Sequence, residues 1–308
     1  MNPLSLEQYH PRDYLSITSL VKASRCMRMA YYSGQGLGSA VEAAALVFGS
    51  AIHAGIPHAF LGDIPKAMEM FEKIWNPELQ DGKRNLDRAK IMFADCALTY
   101  NNQKIFELIK PPSDARIITN DQVNDWEILF ALDIGLPIPL AGRMDGIGVN
   151  LSGFTTTSGK KGLWVLEYKT SSEVSGRLAA CCEYNPQTIG YALALSQVQQ
   201  EYEVIGTCYV FLRVSEKNTE TILHPVLIKE YHYQDFLGWS RDIGSKILGA
   251  EETGIFPKNI SACSPYPMFG SPGYLCNYLP LCKDTPNWEE MAGLYERSTK
   301  RFDLFETQ

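Results

Sequence analysis

Apolar and polar positions along the chain follow two periods in succession. Over 14–32, 40–60, 64–75 and 87–109 the apolar residues recur at helical spacing, which predicts four helices. Leu20, Val21 and Ala23 mark the inner face of the first, with Ser16 or Thr18 as its cap, and Pro111 and Pro112 close the stretch. After it the pattern turns to strands: 125–130, 142–149, 163–170 and 204–214, where Cys208 to Leu212 form a continuous buried run. A helix is expected over 185–199, with Pro186 tolerated in its first turn, and another over 233–248. The run 221–232 reads as an edge strand, because Pro225 cannot donate to a central ladder. Helices before a strand, strand, helix, strand order give an α/β class, a mixed sheet flanked by helices.

The central pair of strands carries the chemistry. Gly142-Arg143-Met144-Asp145-Gly146-Ile147-Gly148-Val149 and Leu163-Trp164-Val165-Leu166-Glu167-Tyr168-Lys169-Thr170 flank a Ser/Thr/Gly loop, the layout of a β-hairpin. Symmetry about a loop centre near Thr156 sets Asp145 opposite Glu167. Side chains alternate along a strand, so Val165, Glu167 and Lys169 share one face while Leu166 and Tyr168 point to the other. Two hard oxygen ligands side by side suit Mg²⁺ or Mn²⁺, and an adjacent lysine can orient or help deprotonate a water, the minimum equipment for metal-assisted phosphodiester hydrolysis. The bland alternative is an exposed hairpin with a Glu–Lys pair.

Composition narrows the setting. A chain of 308 residues with 45% hydrophobic content can bury a large core. It has no apolar run of membrane-spanning length and no signal-peptide layout in its first ten residues, so a cytoplasmic protein with no membrane partner is expected. The net charge of −7 disfavours a broad nonspecific nucleic-acid surface but allows a local basic groove. Lys83, Arg84, Arg88 and Lys90 read as a solvated face.

Eight cysteines are many for an intracellular protein, where clustered thiols more often hold metal than form disulfides. Cys96, Cys181, Cys182 and Cys208 lie in apolar or helical contexts and read as buried small hydrophobes. Cys26 has Lys22, Arg25 and Arg28 around it, which favours its thiolate. Cys263, Cys276 and Cys282 fall in an irregular Pro/Gly-rich tail that cannot form its own core, and with Cys26 they supply four thiolates, enough for Zn²⁺ or a [4Fe–4S] cluster. His53 lies one turn after Gly49 on an apolar helix, as a core histidine or a ligand, and Gln187 and Tyr191, four apart, share a helix face.

Taken in order, His53, Gly142-Arg143-Met144-Asp145, Glu167-Tyr168-Lys169 and Gln187-x-x-x-Tyr191, with one cysteine before and three after, resemble the RecB-type branch of the P-D-(D/E)-x-K nucleases. The resemblance is to its iron–sulfur members, which include CRISPR-associated four-cysteine exonucleases, the AddB nuclease domain and related phage proteins. It implies a restriction-endonuclease-like sheet in a single nuclease domain over 1–308. A helical insertion would occupy about 62–112, a catalytic core about 125–250 and a cluster-binding segment about 256–285. It implies His53, Asp145, Glu167 and the carbonyl of Tyr168 as ligands of Mg²⁺ or Mn²⁺, Lys169 as the residue that positions water, and Arg143, Gln187 and Tyr191 as DNA contacts. It also implies a [4Fe–4S] cluster on Cys26, Cys263, Cys276 and Cys282, with Zn²⁺ as the lesser alternative. One departure is visible, since twelve residues separate Cys263 from Cys276 where the family keeps its first C-terminal pair close. The expected activity is DNA exonuclease action at single-stranded or duplex ends in recombination, repair or CRISPR-adaptation-like processing, with partner proteins from those systems. The alternative is a DNA-binding or assembly subunit of a larger recombination complex with little activity of its own.

Overall fold

The computed structural model describes residues 14–35, 37–38, 44–110, 126–173, 176–199, 201–263, 276–283 and 296–297. In chain order its first elements are β1 (Leu15–Ser16), α1 (Ile17–Arg25), α2 (Met27–Gly34), β2 (Leu37–Gly38), α3 (Ala44–Phe60), α4 (Ile64–Glu72), α5 (Leu86–Gln103) and β3 (Phe106–Ile109). There follow β4 (Ile128–Leu132), β5 (Leu140–Met144), β6 (Gly146–Asn150), β7 (Lys161–Ser171), α6 (Gly176–Cys182), α7 (Pro186–Val198) and β8 (Tyr202–Arg213). The last are β9 (Thr221–Leu227), α8 (Glu230–Thr253), α9 (Leu279–Lys283) and β10 (Glu296–Arg297). The chain divides into two compact units, Met1–Leu6, Ala43–Leu132 and Gly142–Phe236 in the first, and Glu7–Glu42, Asp133–Ala141 and Leu237–Gln308 in the second.

The first unit is built on a five-stranded sheet in the order β3-β6-β7-β8-β9, parallel between β7 and β8 and antiparallel elsewhere. Alternation decides which helices cover which face. Trp164, Leu166 and Tyr168 of β7 and Cys208, Val210 and Leu212 of β8 pack into one core with Phe48, Ile52 and Ile56 of α3, Phe71 of α4 and Met92 and Phe93 of α5. On the opposite face Tyr209 and Phe211 pack with Cys182 and Leu178 of α6. The mixed α/β class read from the sequence is the fold observed.

Gly206 sits where the β7–β8 register shifts between Leu163 and Trp164. Its φ is +157, and a Cβ there would lie 2.0 Å from the carbonyl oxygen of Val226, so only glycine fits between β7 and β9 at this point.

Several boundaries differ from the sequence expectation, each for a local reason. The helix expected over 87–109 is two elements. Lys104 caps α5 in the left-handed conformation (φ 44), its N–H on the Tyr100 carbonyl at 2.9 Å, and the alternating Phe106-Glu107-Leu108-Ile109 then pairs with β6. The helix expected over 14–32 breaks at Cys26, which is extended (φ −164, ψ 120), after a first turn closed by the Ser16 and Ser19 capping box. The strand expected over 142–149 is also two strands, since β5 and β6 belong to different sheets and Asp145 stands at the break. β9 keeps its edge position with Pro225 but ends at Leu227, where the Lys229 N–H donates to His232 Nδ1 at 3.0 Å and α8 begins. Residues 40–43 and 125 of the expected elements lie outside the described residues.

In the second unit β1 pairs in parallel with the start of β5, Leu15 with Leu140 and Ser16 with Ala141, and β2 pairs antiparallel with β10. Tyr32, Leu37, Leu281 and Cys282 form a small core of their own. No described helix is long and apolar enough to cross a membrane.

Candidate active site

The β6–β7 register places Gly146 opposite Leu166 and Ile147 opposite Val165, and so brings Asp145 to Glu167. Asp145 then turns one oxygen back to the hairpin, its Oδ2 accepting the backbone N–H of Tyr168 at 2.7 Å. Glu167 is only 1% exposed, and Lys169, two residues along the same face, forms an ion pair with its Oε1. The Tyr168 ring lies on the other face within the α3–α5 core, and its hydroxyl has no hydrogen-bond partner there.

Burial and the neighbouring Asp145 charge push the Glu167 carboxyl up to about 8, against the pull of Lys169. Burial works to lower the Lys169 ammonium, but Glu167 outweighs it and holds that pKa above its ordinary value. Glu167 Oε2 is buried without a hydrogen bond. An unsatisfied carboxylate oxygen in a site of like charges is the arrangement that a cation relieves.

Helix α3 reaches this patch because Gly49 allows it close to β7, where a Cβ would stand 3.0 Å from Thr170 Oγ1. One turn on, His53 Nδ1 lies 3.7 Å from Asp145 Oδ2. Burial keeps His53 below the usual imidazole value; Asp145 opposes this while Lys169 and Arg143 add to it. The ring is therefore neutral at physiological pH, the form that binds metal. From α7, whose N-cap Asn185 accepts the Gln187 N–H at 3.0 Å, Gln187 Oε1 accepts from Lys169 Nζ at 3.4 Å and its Nε2 donates to the Tyr191 hydroxyl at 2.9 Å. Glu167, Lys169, Gln187 and Tyr191 thus form one polar chain from β7 to α7.

A second buried carboxylate completes the patch. Glu127, just before β4, lies 3.0 Å through Oε2 from Nη1 of Arg143. Burial first, and Asp145 as well, push its carboxyl up to about 7, with Arg143 opposing. The sequence reading passed over Glu127, and the available signal was a charged residue directly before the apolar run Ile128-Leu129-Phe130.

Residues 14–283 match the family model of the PD-(D/E)XK nuclease superfamily. The chain belongs to that superfamily. Within it, the crystal structure of a candidate exonuclease from Eubacterium rectale is similar at 14% identity and a TM-score of 0.48, covering 86% of this chain and 92% of that one. The protein SSO0001 is similar at 12% identity and a TM-score of 0.31, covering 78% and 80% respectively. A comparison with curated proteins returned no match. Nucleases of the PD-(D/E)XK superfamily typically use Mg²⁺ or Mn²⁺. Here Asp145, Glu167 and His53 provide oxygen and imidazole donors of the right type, although among the described residues no group of three or more His, Cys, Asp or Glu side chains forms a ready metal site.

The four thiols form a separate group in the second unit. Cys26 is the extended residue between α1 and α2, Cys263 ends a 3-10 turn (Ile260–Cys263), Cys276 lies three residues before the Leu279–Lys283 helix, and Cys282 is within it. Asn259 links two of them, its N–H on Cys26 Sγ at 3.4 Å and its carbonyl accepting from Cys263 Sγ at 3.5 Å. Burial raises the Cys263 thiol, and so do the nearby Cys26 and Cys276. Cys282 is likewise raised by burial and by Cys26 and Cys263, with Lys258 opposing.

Of the other cysteines, Cys96, Cys182 and Cys208 are buried as expected, but Cys181 is exposed because it falls on the outer side of α6. Arg28 and Arg241 each donate through Nε to a main-chain carbonyl, Phe256 at 2.9 Å and Ile134 at 2.5 Å.

Proposed function

We propose that the protein is a divalent-metal-dependent deoxyribonuclease, an exonuclease that hydrolyses phosphodiester bonds at single-stranded or duplex DNA ends in recombination, repair or CRISPR-adaptation-like processing. The observation that carries this reading is the buried Glu167, with one oxygen on Lys169 and the other unsatisfied, beside Asp145 in a member of the PD-(D/E)XK superfamily.

His53, Asp145, Glu167 and the Tyr168 carbonyl would hold Mg²⁺ or Mn²⁺, whose charge, when bound, acidifies a water and stabilises the departing 3′ oxygen. The chain's own residues do the rest. Lys169, kept cationic by Glu167, positions the attacking water on the sheet side of the phosphate. Gln187 fixes the Lys169 ammonium from α7, and Tyr191 fixes Gln187. The Tyr168 N–H holds Asp145 in its rotamer. Arg143 meets backbone phosphate.

Cys26, Cys263, Cys276 and Cys282 would supply the four thiolates of a [4Fe–4S] cluster, with Zn²⁺ as the lesser alternative; Cys263 and Cys282 each lie within electrostatic reach of two of the others, although among the described residues no three of them stand as a ready metal site. Their role in either case is structural, fastening the segment after α8 to the α1–α2 junction.

The test is cleavage of end-labelled single-stranded and duplex DNA by the isolated protein with Mn²⁺ or Mg²⁺. Progressive shortening from an end, abolished by EDTA, is expected. DNA binding with no cleavage under either metal would replace the enzyme by the assembly-subunit reading.

A further inference from the structure

Residues 256–259, between α8 and the turn that ends at Cys263, lie in neither helix nor strand, so contacts with other parts of the second unit set their course. Those contacts run to three pieces of chain that carry thiols. The Phe256 carbonyl accepts from Arg28 Nε at 2.9 Å, and the Phe256 ring centroid lies 4.3 Å from that of Tyr31, both on α2 just after Cys26. The Lys258 ammonium donates to the Cys282 carbonyl. Asn259 meets two sulfurs directly, its N–H donating to Cys26 Sγ at 3.4 Å and its carbonyl accepting from Cys263 Sγ at 3.5 Å. Its side chain is bonded at both ends, Nδ2 donating to the Arg25 carbonyl at 2.7 Å and Oδ1 accepting from Ser261 Oγ at 2.7 Å. One end thus holds the main chain directly before Cys26, and the other holds the turn that leads to Cys263.

We propose that Asn259 is the positioning residue of the thiol site, holding the sulfurs of Cys26 and Cys263 on one residue so that they meet a thiolate-bound metal as a preset pair. The proposal rests on the reading of the four thiols as metal ligands. The two main-chain bonds respond differently to ligation. A ligating sulfur keeps negative charge and still accepts an N–H, so the bond to Cys26 persists and strengthens in the metal-bound protein. Cys263 releases its S–H proton to solvent as it ligates. The Asn259 carbonyl then keeps the Ala262 N–H at 3.1 Å, so no acceptor is left bare and the turn survives. Asn259 is itself exposed, so its hydrogen bonds add little stability and chiefly set direction.

The experiment compares wild type, Asn259→Ala and Asn259→Asp purified without oxygen. One readout is the rate at which a chelator withdraws the bound iron or zinc. The other is the charge-transfer absorbance of metal-free protein titrated with Co²⁺, whose intensity rises with the number of bound thiolates. Alanine keeps the main-chain groups but removes both anchors that aim them. Asn259→Ala should therefore lose metal about tenfold faster and give a weaker Co²⁺ band, while its metal-free melting temperature stays close to that of metal-free wild type. Asn259→Asp keeps the volume and the bond from Ser261 but sets an acceptor against the Arg25 carbonyl; it should match Asn259→Ala, and it carries the test if that variant fails to fold. Unchanged metal release with an unchanged Co²⁺ band would overturn the inference, as would a melting temperature lowered equally with and without metal. If wild type holds no metal at its thiols and binds no Co²⁺, the metal reading itself fails; if wild type does both and the variants match it, only the positioning role of Asn259 is lost.

Discussion

The two groups of reactive side chains in this protein are built by opposite means. Asp145, Glu167 and Lys169 stand on neighbouring positions of paired strands, where the backbone ladder fixes every side chain's direction. Cys26, Cys263, Cys276 and Cys282 come from a helix junction, the end of a 3-10 turn, the residues before a short helix and that helix itself, two of them joined through the main chain of Asn259. The first group is held by the fold. The second group, on the metal reading proposed above, would fasten residues 256–263 and 276–283 to the α1–α2 junction, beside the small core of Tyr32, Leu37, Leu281 and Cys282. A ligand should therefore change reactivity at the first site and stability at the second.

The largest expected effect lies at the strand site. Lys169→Ala should lower cleavage by about 10²–10⁴-fold while DNA affinity in Ca²⁺ changes little, and unchanged cleavage would remove Lys169 from the mechanism. The ladder that holds this site should be intolerant at Gly206, where Gly206→Ala drives a methyl into the Val226 carbonyl and should cost about 3 kcal/mol or more in denaturant unfolding. At the thiol site, Cys282→Ser should abolish the metal found by analysis, about four irons per chain in wild-type protein purified without oxygen, and lower the melting temperature by several degrees. One zinc per chain would keep the site and replace the cluster, and no metal would remove the contrast altogether.

Two pH effects are smaller. Glu127 has a folded pKa of about 7, above its unfolded value near 4.5, so the folded state keeps its proton longer than the unfolded state. The contribution of Glu127 to the stability of the metal-free protein should be fullest below pH 4.5 and decline through pH 7, and Glu127→Gln should flatten that decline. Glu203 behaves the other way. Burial works to raise its carboxyl, but four hydrogen bonds from the N–H and hydroxyl groups of Thr157 and Ser158 together outweigh it and bring the carboxyl down to about 2. Its contribution is present above pH 4.5 and disappears as the pH falls through 2, and because the group is mostly solvated the loss in melting temperature on Glu203→Gln should be slight.

The same contrast governs what could be read from the sequence. The facing of Asp145 and Glu167 was legible because a period of two and a symmetric polar loop are enough to set a hairpin register. The break of β5 from β6 at Asp145 was not, since glycines on both sides read as one continuous strand. β3 escaped notice because no proline or glycine separates it from α5; a lysine in the left-handed conformation does the work that glycine usually does. Glu127 could not be assigned at all, because its meaning depends on a contact with Arg143 across strands, and spacing carries no record of that. The thiols were legible as a count and as a clustering in an irregular tail, whereas the turn at Asn259 that gathers two of them is a tertiary fact.

The order of the chain also sets an order of assembly. Asp145 and Glu167 meet through one short hairpin, and Gln187 and Tyr191 follow within a single helix, but Cys26 must wait for Cys282. Closing that longer loop costs about 2 kcal/mol more in chain entropy than closing the hairpin, and during synthesis it cannot begin until the last thiol has left the ribosome. Asp145, Glu167, Lys169 and Gln187 are therefore in register before the thiols can gather, and on the reading proposed above a chain without metal at its cysteines would already carry its full complement of residues for phosphodiester chemistry.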